Sequence, residues 1–418
     1  MLLEFQCSNF RSILDTVVFS MRATSDTTRE EYIKEYDKYR VLKSAIVYGA
    51  NGSGKSNFLK ALAYMQGIIV SNNLVQPGDK LPQETHKKAD RNMPSEFSIQ
   101  FIKNDHRYVY GFSIKDAKIE SEYLYHFPKG RQKKVFEREG ISLTSGPDYK
   151  KELESLESKL RDNRFVLSLA ANESSNMPVR EAFLFFKEDI VIYNTQWDSW
   201  EGYSAEHIRD DKDLKVKVLE KLAELDTGIK DIKIDAREIK LADLFPGNVV
   251  SDFFKESFKE KTQIRYDIQM QYEDFDVDLA EESTGIQKLF GMLCPMIDIL
   301  EKGKIFICDE FECGLHEAMA AHIIEDFQKY KNTAFAQMIL STHDTSLLST
   351  KLYRRDQIWF TEMKKNRTTD LYSLAEIKNV RPNENFAKGY IQGRYGAIPC
   401  LDEKIFERCA GNRMSKNE

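Results

Sequence analysis

Hydrophobic positions in this chain follow two periods. Between about residues 94 and 139 they alternate, as in Phe97-Ser98-Ile99-Gln100-Phe101-Ile102 and Arg107-Tyr108-Val109-Tyr110-Gly111-Phe112-Ser113-Ile114, with turn residues at Asn104-Asp105 and Lys129-Gly130. Period two broken by such turns predicts an antiparallel β-meander. Ala45-Ile46-Val47-Tyr48 and Met338-Ile339-Leu340 are apolar throughout and read as strands. The run from Lys304 to Cys308 reads as a buried parallel strand. Helical spacing marks Asn57 to Leu62, Val179 to Phe186, Lys212 to Leu225 and the stretch after Ser283. Residues 148–171 combine helical period with dense charge, and Thr262 to Leu279 reads as strands. The fold class predicted is α/β.

With 418 residues, 41% of them apolar and 31% charged, the chain has room for two or three ordinary globular cores. No run of 18 apolar residues occurs, and Met1-Leu2-Leu3-Glu4-Phe5 lacks the plan of a signal peptide, so a cytoplasmic protein without a membrane segment is expected. The six cysteines, at 7, 294, 308, 313, 400 and 409, show no zinc-binding spacing, and Cys308 reads as a reduced core thiol. Net charge is −6, with 61 basic residues interspersed among 67 acidic ones, which disfavours an obligate DNA binder and favours a protein partner. Basic runs at 129–134, 354–355 and 364–367 read as solvated turns, which leaves nucleic acid the less favoured partner.

The chemistry begins at Gly49-Ala50-Asn51-Gly52-Ser53-Gly54-Lys55-Ser56, which satisfies G-x-x-x-x-G-K-[ST] between a strand and a helix. The glycines let backbone N–H groups converge on a phosphate, and the helix N-terminus adds partial positive charge. Asn51, Gly52, Ser53, Gly54, Lys55, Ser56 and Asn57 are therefore the expected nucleotide-binding residues, with Lys55 on the β- and γ-phosphates and the Ser56 hydroxyl on Mg²⁺. The strand from Lys304 ends in Asp309-Glu310. Asp309 is expected to hold Mg²⁺, and Glu310 to polarise the water that attacks the γ-phosphate. Two weaker signals follow. Ser283-Thr284-Gly285 opens an apolar helix 26 residues before Asp309, and His343 ends a strand 34 residues after it, where an imidazole can reach the γ-phosphate.

In this order the blocks resemble the ABC-type ATPase heads shared by SMC and RecF-like proteins. Asn9-Phe10-Arg11-Ser12, placed in the first strand, looks like the N-terminal motif of that superfamily, whose Arg lies by the phosphates. Ser283 and Gly285 stand at the signature motif, Glu312-Cys313-Gly314-Leu315-His316 at the D-loop, and His343 at the switch histidine. The signature reads Glu-Ser-Thr-Gly instead of Leu-Ser-Gly-Gly. In this, and in the tail from Lys388 to Pro399, the chain resembles a narrower group: compact ABC ATPases of bacterial phage-defence operons, of the AbiL/RloA type and the AriA subunit of PARIS. The resemblance implies a P-loop ABC ATPase head with an antiparallel β layer and an inserted helical region. It also implies ATP and Mg²⁺ as cofactors, and a homodimer or higher homo-oligomer whose head-to-tail sites are completed by Ser283 and Gly285 in trans.

The division expected is an N-terminal half of the head over 1–147, a mostly helical insertion over 148–260 and a C-terminal half over 261–418. The charged helix supplies about three heptads, too few for a long coiled-coil arm. The 75 residues after His343 lack the acidic cluster of a two-metal nuclease. The function expected is an ATP-hydrolysing sensor and scaffold of an abortive-infection defence system. It would control a separate effector encoded nearby, a nuclease, and answer to a phage-encoded trigger. The alternative is an SMC/RecF-like DNA-processing or repair ATPase that clamps nucleic acid. Gln196 and Gln100 are both open as the residue coupling nucleotide to insertion, and Trp197 and Trp200 read either as core aromatics or as a partner anchor.

Overall fold

A computed structural model describes residues 1–173, 177–194, 200–240, 262–331 and 334–399. Gln196, Trp197, Cys400, Cys409 and residues 241–260 of the expected insertion lie outside the described residues. The N-terminal part runs through β1 (Leu2–Ser8), β2 (Val17–Ser20), β3 (Ile33–Tyr36), β4 (Tyr39–Leu42), β5 (Ser44–Tyr48) and α1 (Lys55–Val70). The meander follows as β6 (Ser95–Lys103), β7 (His106–Lys115), β8 (Lys118–Phe127), β9 (Lys133–Glu139) and β10 (Ser142–Ser145). Next come α2 (Lys150–Glu154), α3 (Val166–Glu173), α4 (Met177–Leu184), β11 (Ile190–Asn194), α5 (Glu201–Asp210), α6 (Lys212–Glu224) and β12 (Asp231–Lys240). The rest comprises β13 (Thr262–Gln271), β14 (Asp276–Asp278), α7 (Thr284–Lys302), β15 (Ile305–Asp309), α8 (Glu317–Lys329), β16 (Gln337–Ser341), β17 (Ile358–Met363), β18 (Thr369–Ser373) and α9 (Phe386–Ile391).

Two sheets dominate. One has the order β11-β15-β16-β5-β17-β18, parallel except for β18, and the other is the antiparallel sheet β10-β9-β8-β7-β6-β1-β2. Alternation along the parallel strands serves two cores at once. Ala45, Val47, Ile305, Ile307 and Ile339 share a core with α1 and the antiparallel sheet. Their neighbours Ile46, Tyr48, Phe306, Cys308, Met338 and Leu340 join α7 and α8 on the opposite face. Helix α1 is thus held between sheets, with Phe58 packed 5.1 Å from Phe19 and 6.2 Å from Phe5. Burying that ring is worth about 1.5–3 kcal/mol. The α/β architecture and its antiparallel layer agree with the sequence. The meander turn falls at Asn104-Asp105, with φ of +47° and +61°.

Three local expectations change. The charged stretch 148–171 is not one helix: it breaks into α2, a short 3-10 turn at Glu157–Lys159 and α3. Long-range hydrogen bonds hold the intervening backbone. Arg138 donates to the carbonyls of Arg161 and Arg164, and Asn163 donates to those of Gln76 and Asp79. Glu122, fully buried beside Arg138, accepts the N–H groups of Val166 and Leu167 at 2.7 and 2.9 Å and so starts α3 afresh. Within the expected insertion, β11 pairs in parallel with β15, so this strand belongs to the central sheet of the head. The Asn9–Ser12 motif lies in a tight turn beyond β1 and not in the strand, because Asn9 and Arg11 adopt φ of +48° and +52°.

Trp200 packs against Tyr193 and Phe306 as a core aromatic. The Gln100 amide is engaged on the antiparallel sheet, accepting from Arg22 and donating to Glu4. Among the described residues no helix is long and apolar enough to cross a membrane.

Candidate functional site

Parallel register brings the site together. Ile46 pairs with Leu340 and Leu340 with Cys308, so β5, β15 and β16 end side by side, and the phosphate loop, Asp309-Glu310 and Ser341–His343 emerge at one edge. The loop needs its glycines. Gly54 sits at φ +112°, and a Cβ there would meet Thr369 Oγ1 at 2.1 Å. Gly52, at φ +76°, faces open space. Asn51 and Gly52 are exposed at the tip, whereas Ser53 is buried and bonds Thr361 Oγ1 at 2.7 Å. Ser56 and Asn57, in the first turns of α1, are half-buried.

Lys55 is 5% exposed, and its Nζ donates to Gly49 O at 2.7 Å and lies 3.3 Å from His343 Nδ1. Burial lowers its pKa to about 8, against the opposing pull of Asp309, Glu312 and Glu310. A buried ammonium bonded to a neutral carbonyl is a cation poised for an anion, because phosphate would stabilise the charged form that loss of hydration disfavours. His343 is itself held below the usual imidazole range, first by burial and then by Lys55. Its backbone N–H donates to Glu312 Oε1 at 2.6 Å.

The acids are organised by a residue that sequence reasoning missed. Ser341, fully buried at the end of β16, donates to Asp309 Oδ1 and accepts from Glu310 N at 3.0 Å. Glu310 sits at φ +50°, which turns the chain sharply after β15. Ser341 directly precedes Thr342-His343, but only the pairing of β16 with β15 reveals its partner. Glu312 was also missed as a ligand of the histidine turn, and its buried Oε2 has no hydrogen-bond partner. The Ser56 hydroxyl and the Asp309 carboxylate are oxygen donors of the kind Mg²⁺ takes, which is one or two carboxylates together with phosphate oxygens.

The N-terminal turn is wired to the loop. Asn57 Nδ2 donates to Ser12 Oγ at 2.8 Å, Ser12 Oγ lies 2.8 Å from Thr369 Oγ1, and Thr369 donates to Ser53 O at 2.9 Å. Thr361 and Thr369 carry no local sequence signal. Arg11 pairs with Glu84 at 2.7 Å, while its buried Nε has no hydrogen-bond partner. With Ser12, Asn57, Lys87 and Arg367 it lines a groove of about 760 Å³ beside the loop.

Ser283 caps α7 by accepting from Ile286 N at 3.3 Å. A Cβ on Gly285 would lie 2.7 Å from Gly314 O, so the signature segment rests on the turn that follows Glu310. Lys288 locks the two together, donating to Phe311 O at 2.6 Å and Cys313 O at 2.8 Å. The structure therefore brings Lys55, Asp309, Glu310 and His343 together, while the contacts of Ser283 and Gly285 within one chain are with α7 and Gly314.

Over residues 44–349, well over half of its length, the chain matches the family described as "AAA domain, putative AbiEii toxin, Type IV TA system". A comparison with curated proteins returns no match. Solved structures similar to it include the SmcHead bound to the C-winged helix domain of ScpA, 16% identical, covering 89% of this chain and 97% of that one at a TM-score of 0.44. The SMC head domain from Thermotoga maritima is 12% identical, with 89% and 98% covered and a TM-score of 0.41. An Smc head domain with an extended coiled coil, bound to the C-terminal domain of ScpA derived from Pyrococcus furiosus, is 14% identical, with 89% and 96% covered and a TM-score of 0.39.

Proposed function

We propose, from the premise that this chain belongs to that AAA-domain family, that it is an ATP-hydrolysing sensor and scaffold of a bacterial anti-phage system. It would act in the cytoplasm and control a separate effector, a nuclease encoded beside it, in response to a phage-encoded trigger. The observation that carries the reading is the meeting of Lys55, Asp309, Glu310 and His343 at one sheet edge, in a chain of a family described by a putative AbiEii toxin of a type IV TA system. The finer likeness to AbiL/RloA and AriA proteins belongs to the same proposal.

In this reading the loop amides and Lys55 bind the triphosphate, and the groove with Arg11 receives the remainder of the nucleotide. Ser56 and Asp309 would hold Mg²⁺, which would neutralise charge on the phosphates. Glu310 accepts the proton of the attacking water, oriented by the Ser341 bond to its backbone. His343 meets the γ-phosphate once Lys55 leaves the Gly49 carbonyl. Ser283 and Gly285 serve the site of a second copy, giving a head-to-tail homodimer or larger homo-oligomer. Lys288 would carry that engagement back to the turn after Glu310. Closure around ATP then favours one state of the effector complex, to the extent of its differential affinity.

The test joins chemistry to output. Glu310→Gln should keep ATP binding and slow hydrolysis by about 10²–10⁴-fold, the usual cost of losing a general base. Co-expression with the neighbouring gene should yield a stable complex, and Lys55→Ala cells should lose phage protection. Wild-type turnover by Glu310→Gln refutes the chemistry. No co-purifying protein, with unchanged phage sensitivity in Lys55→Ala cells, refutes the regulatory role, and a salt-dependent shift of duplex DNA would then favour the DNA-clamping alternative.

A further inference from the structure

The C-terminal run from Lys388 to Pro399 has no part in the chemistry above, yet it reaches the phosphate loop. Ala50, the second residue of the loop, donates its N–H to Ala397 O at 2.9 Å. The other end of the same residue is held as well, because Ala50 O lies 3.4 Å from Lys55 Nζ. Ala397 is left-handed, at φ +57°, a conformation that a residue with a Cβ keeps only when its surroundings impose it.

Those surroundings come from the motif. Tyr390 Oη donates to Ala397 O at 3.0 Å, and Tyr372 Oη donates to Tyr395 O at 2.8 Å. Gly396 is at φ +72°, and a Cβ there would approach Tyr372 Oη to 2.7 Å. The Tyr390 ring lies 5.8 Å from Tyr48, the last residue of β5 before the loop, and stacks on Phe360 at 5.5 Å. The segment therefore grips the end of the strand and the start of the loop together.

We propose that residues 388–399 form a clamp on the phosphate loop, with Tyr390, Gly396 and Ala397 as positioning residues that set its affinity for nucleotide. The proposal rests on the phosphate-site reading above. A displaced Ala50 would carry with it the carbonyl beside which Lys55 rests, and so alter the starting position of the lysine that the phosphate-site reading places on the phosphates.

Isothermal titration of the full chain with a non-hydrolysable ATP analogue and Mg²⁺ tests it. Tyr390→Phe keeps the ring packing and removes one neutral hydrogen bond, so Kd should rise about three- to tenfold, with turnover at saturating ATP within about twofold of wild type. Gly396→Ala, which strains the turn itself, should weaken binding further. Phe386→Leu, buried in the same helix and with no hydroxyl to bond Ala397, should lower Tm and leave Kd unchanged. If the unaltered chain binds and both clamp variants match it, or if Phe386→Leu weakens binding as much as they do, the clamp is refuted and the phosphate site stands. Failure of the unaltered chain to bind refutes the phosphate-site reading, and the clamp falls with it.

Discussion

Replacing Ser341 by alanine removes one hydroxyl from two acidic residues at once. In the structure Ser341 Oγ donates to Asp309 Oδ1 and accepts from Glu310 N at 3.0 Å, with the serine fully buried. A hydrogen bond to a charged group contributes about 1.5–3 kcal/mol. Glu310 also occupies φ +50°, a conformation that costs on the order of 1 kcal/mol and is maintained by neighbouring bonds such as this one. If the loss is felt only as ATP reacts, kcat falls about 10- to 150-fold, at 1.36 kcal/mol per decade. Nucleotide affinity, governed by Lys55 and the loop amides, should stay within about threefold. The assay is steady-state ATP turnover over a Mg²⁺ titration, paired with equilibrium binding, on protein of verified fold. A well-folded Ser341→Ala chain with wild-type kcat would refute the argument, as would a defect confined to nucleotide affinity.

Other outcomes follow from the same geometry. Because burial lowers the Lys55 pKa to about 8 and phosphate would favour its charged form, ATP binding near and above pH 8 should be accompanied by proton uptake and weaken as pH rises further. Calorimetry in buffers of different ionisation enthalpy measures this, and zero uptake counts against the buried-lysine account. Ser283→Arg should bind ATP and hydrolyse it poorly, while a mixture with Lys55→Ala should regain at most one working site per dimer; normal hydrolysis by Ser283→Arg alone would refute assembly in trans. His126 is depressed to about 4 by burial and by neighbouring His106, with a buried Nε2 that has no partner. The unfolded chain therefore takes up that proton first, so stability is complete above about pH 6.5 and declines as pH falls toward 4. His126→Phe should flatten that part of the Tm–pH curve, and an unaltered slope would assign the acid sensitivity to other groups.

Much of the site was legible because each of its parts is local. Whereas the Ser-Thr-Gly at a helix start shows within one chain only the Ser283 cap and the contact with Gly314, the spacing of glycines before Lys55 and the two acids ending an apolar run are contiguous patterns with a local backbone consequence. The same is true of the alternation in the meander, where a side-chain period of two dictates a strand whatever it pairs with. Residues whose role lies in a distant partner were not legible. Thr369 bonds the carbonyl of Ser53 and the hydroxyl of Ser12 across more than 300 positions, and nothing near it in sequence marks it. The stretch 148–171 shows the reverse, since its helical period was overridden by Arg138, Asn163 and Glu122.

Local pattern was enough for the pieces of the site: a glycine loop leading into α1, two acids at the end of β15 and a histidine just beyond β16. The tertiary structure alone decided which of those ends meet. Parallel pairing of β11, β15, β16, β5 and β17 aligns their C-terminal edges, and the tail returns so that Ala397 reaches Ala50. The reason is physical. Backbone preference acts within a few residues, whereas strand register and buried hydrogen bonds depend on how whole faces bury apolar surface together, and that free energy is absent from any single stretch of chain.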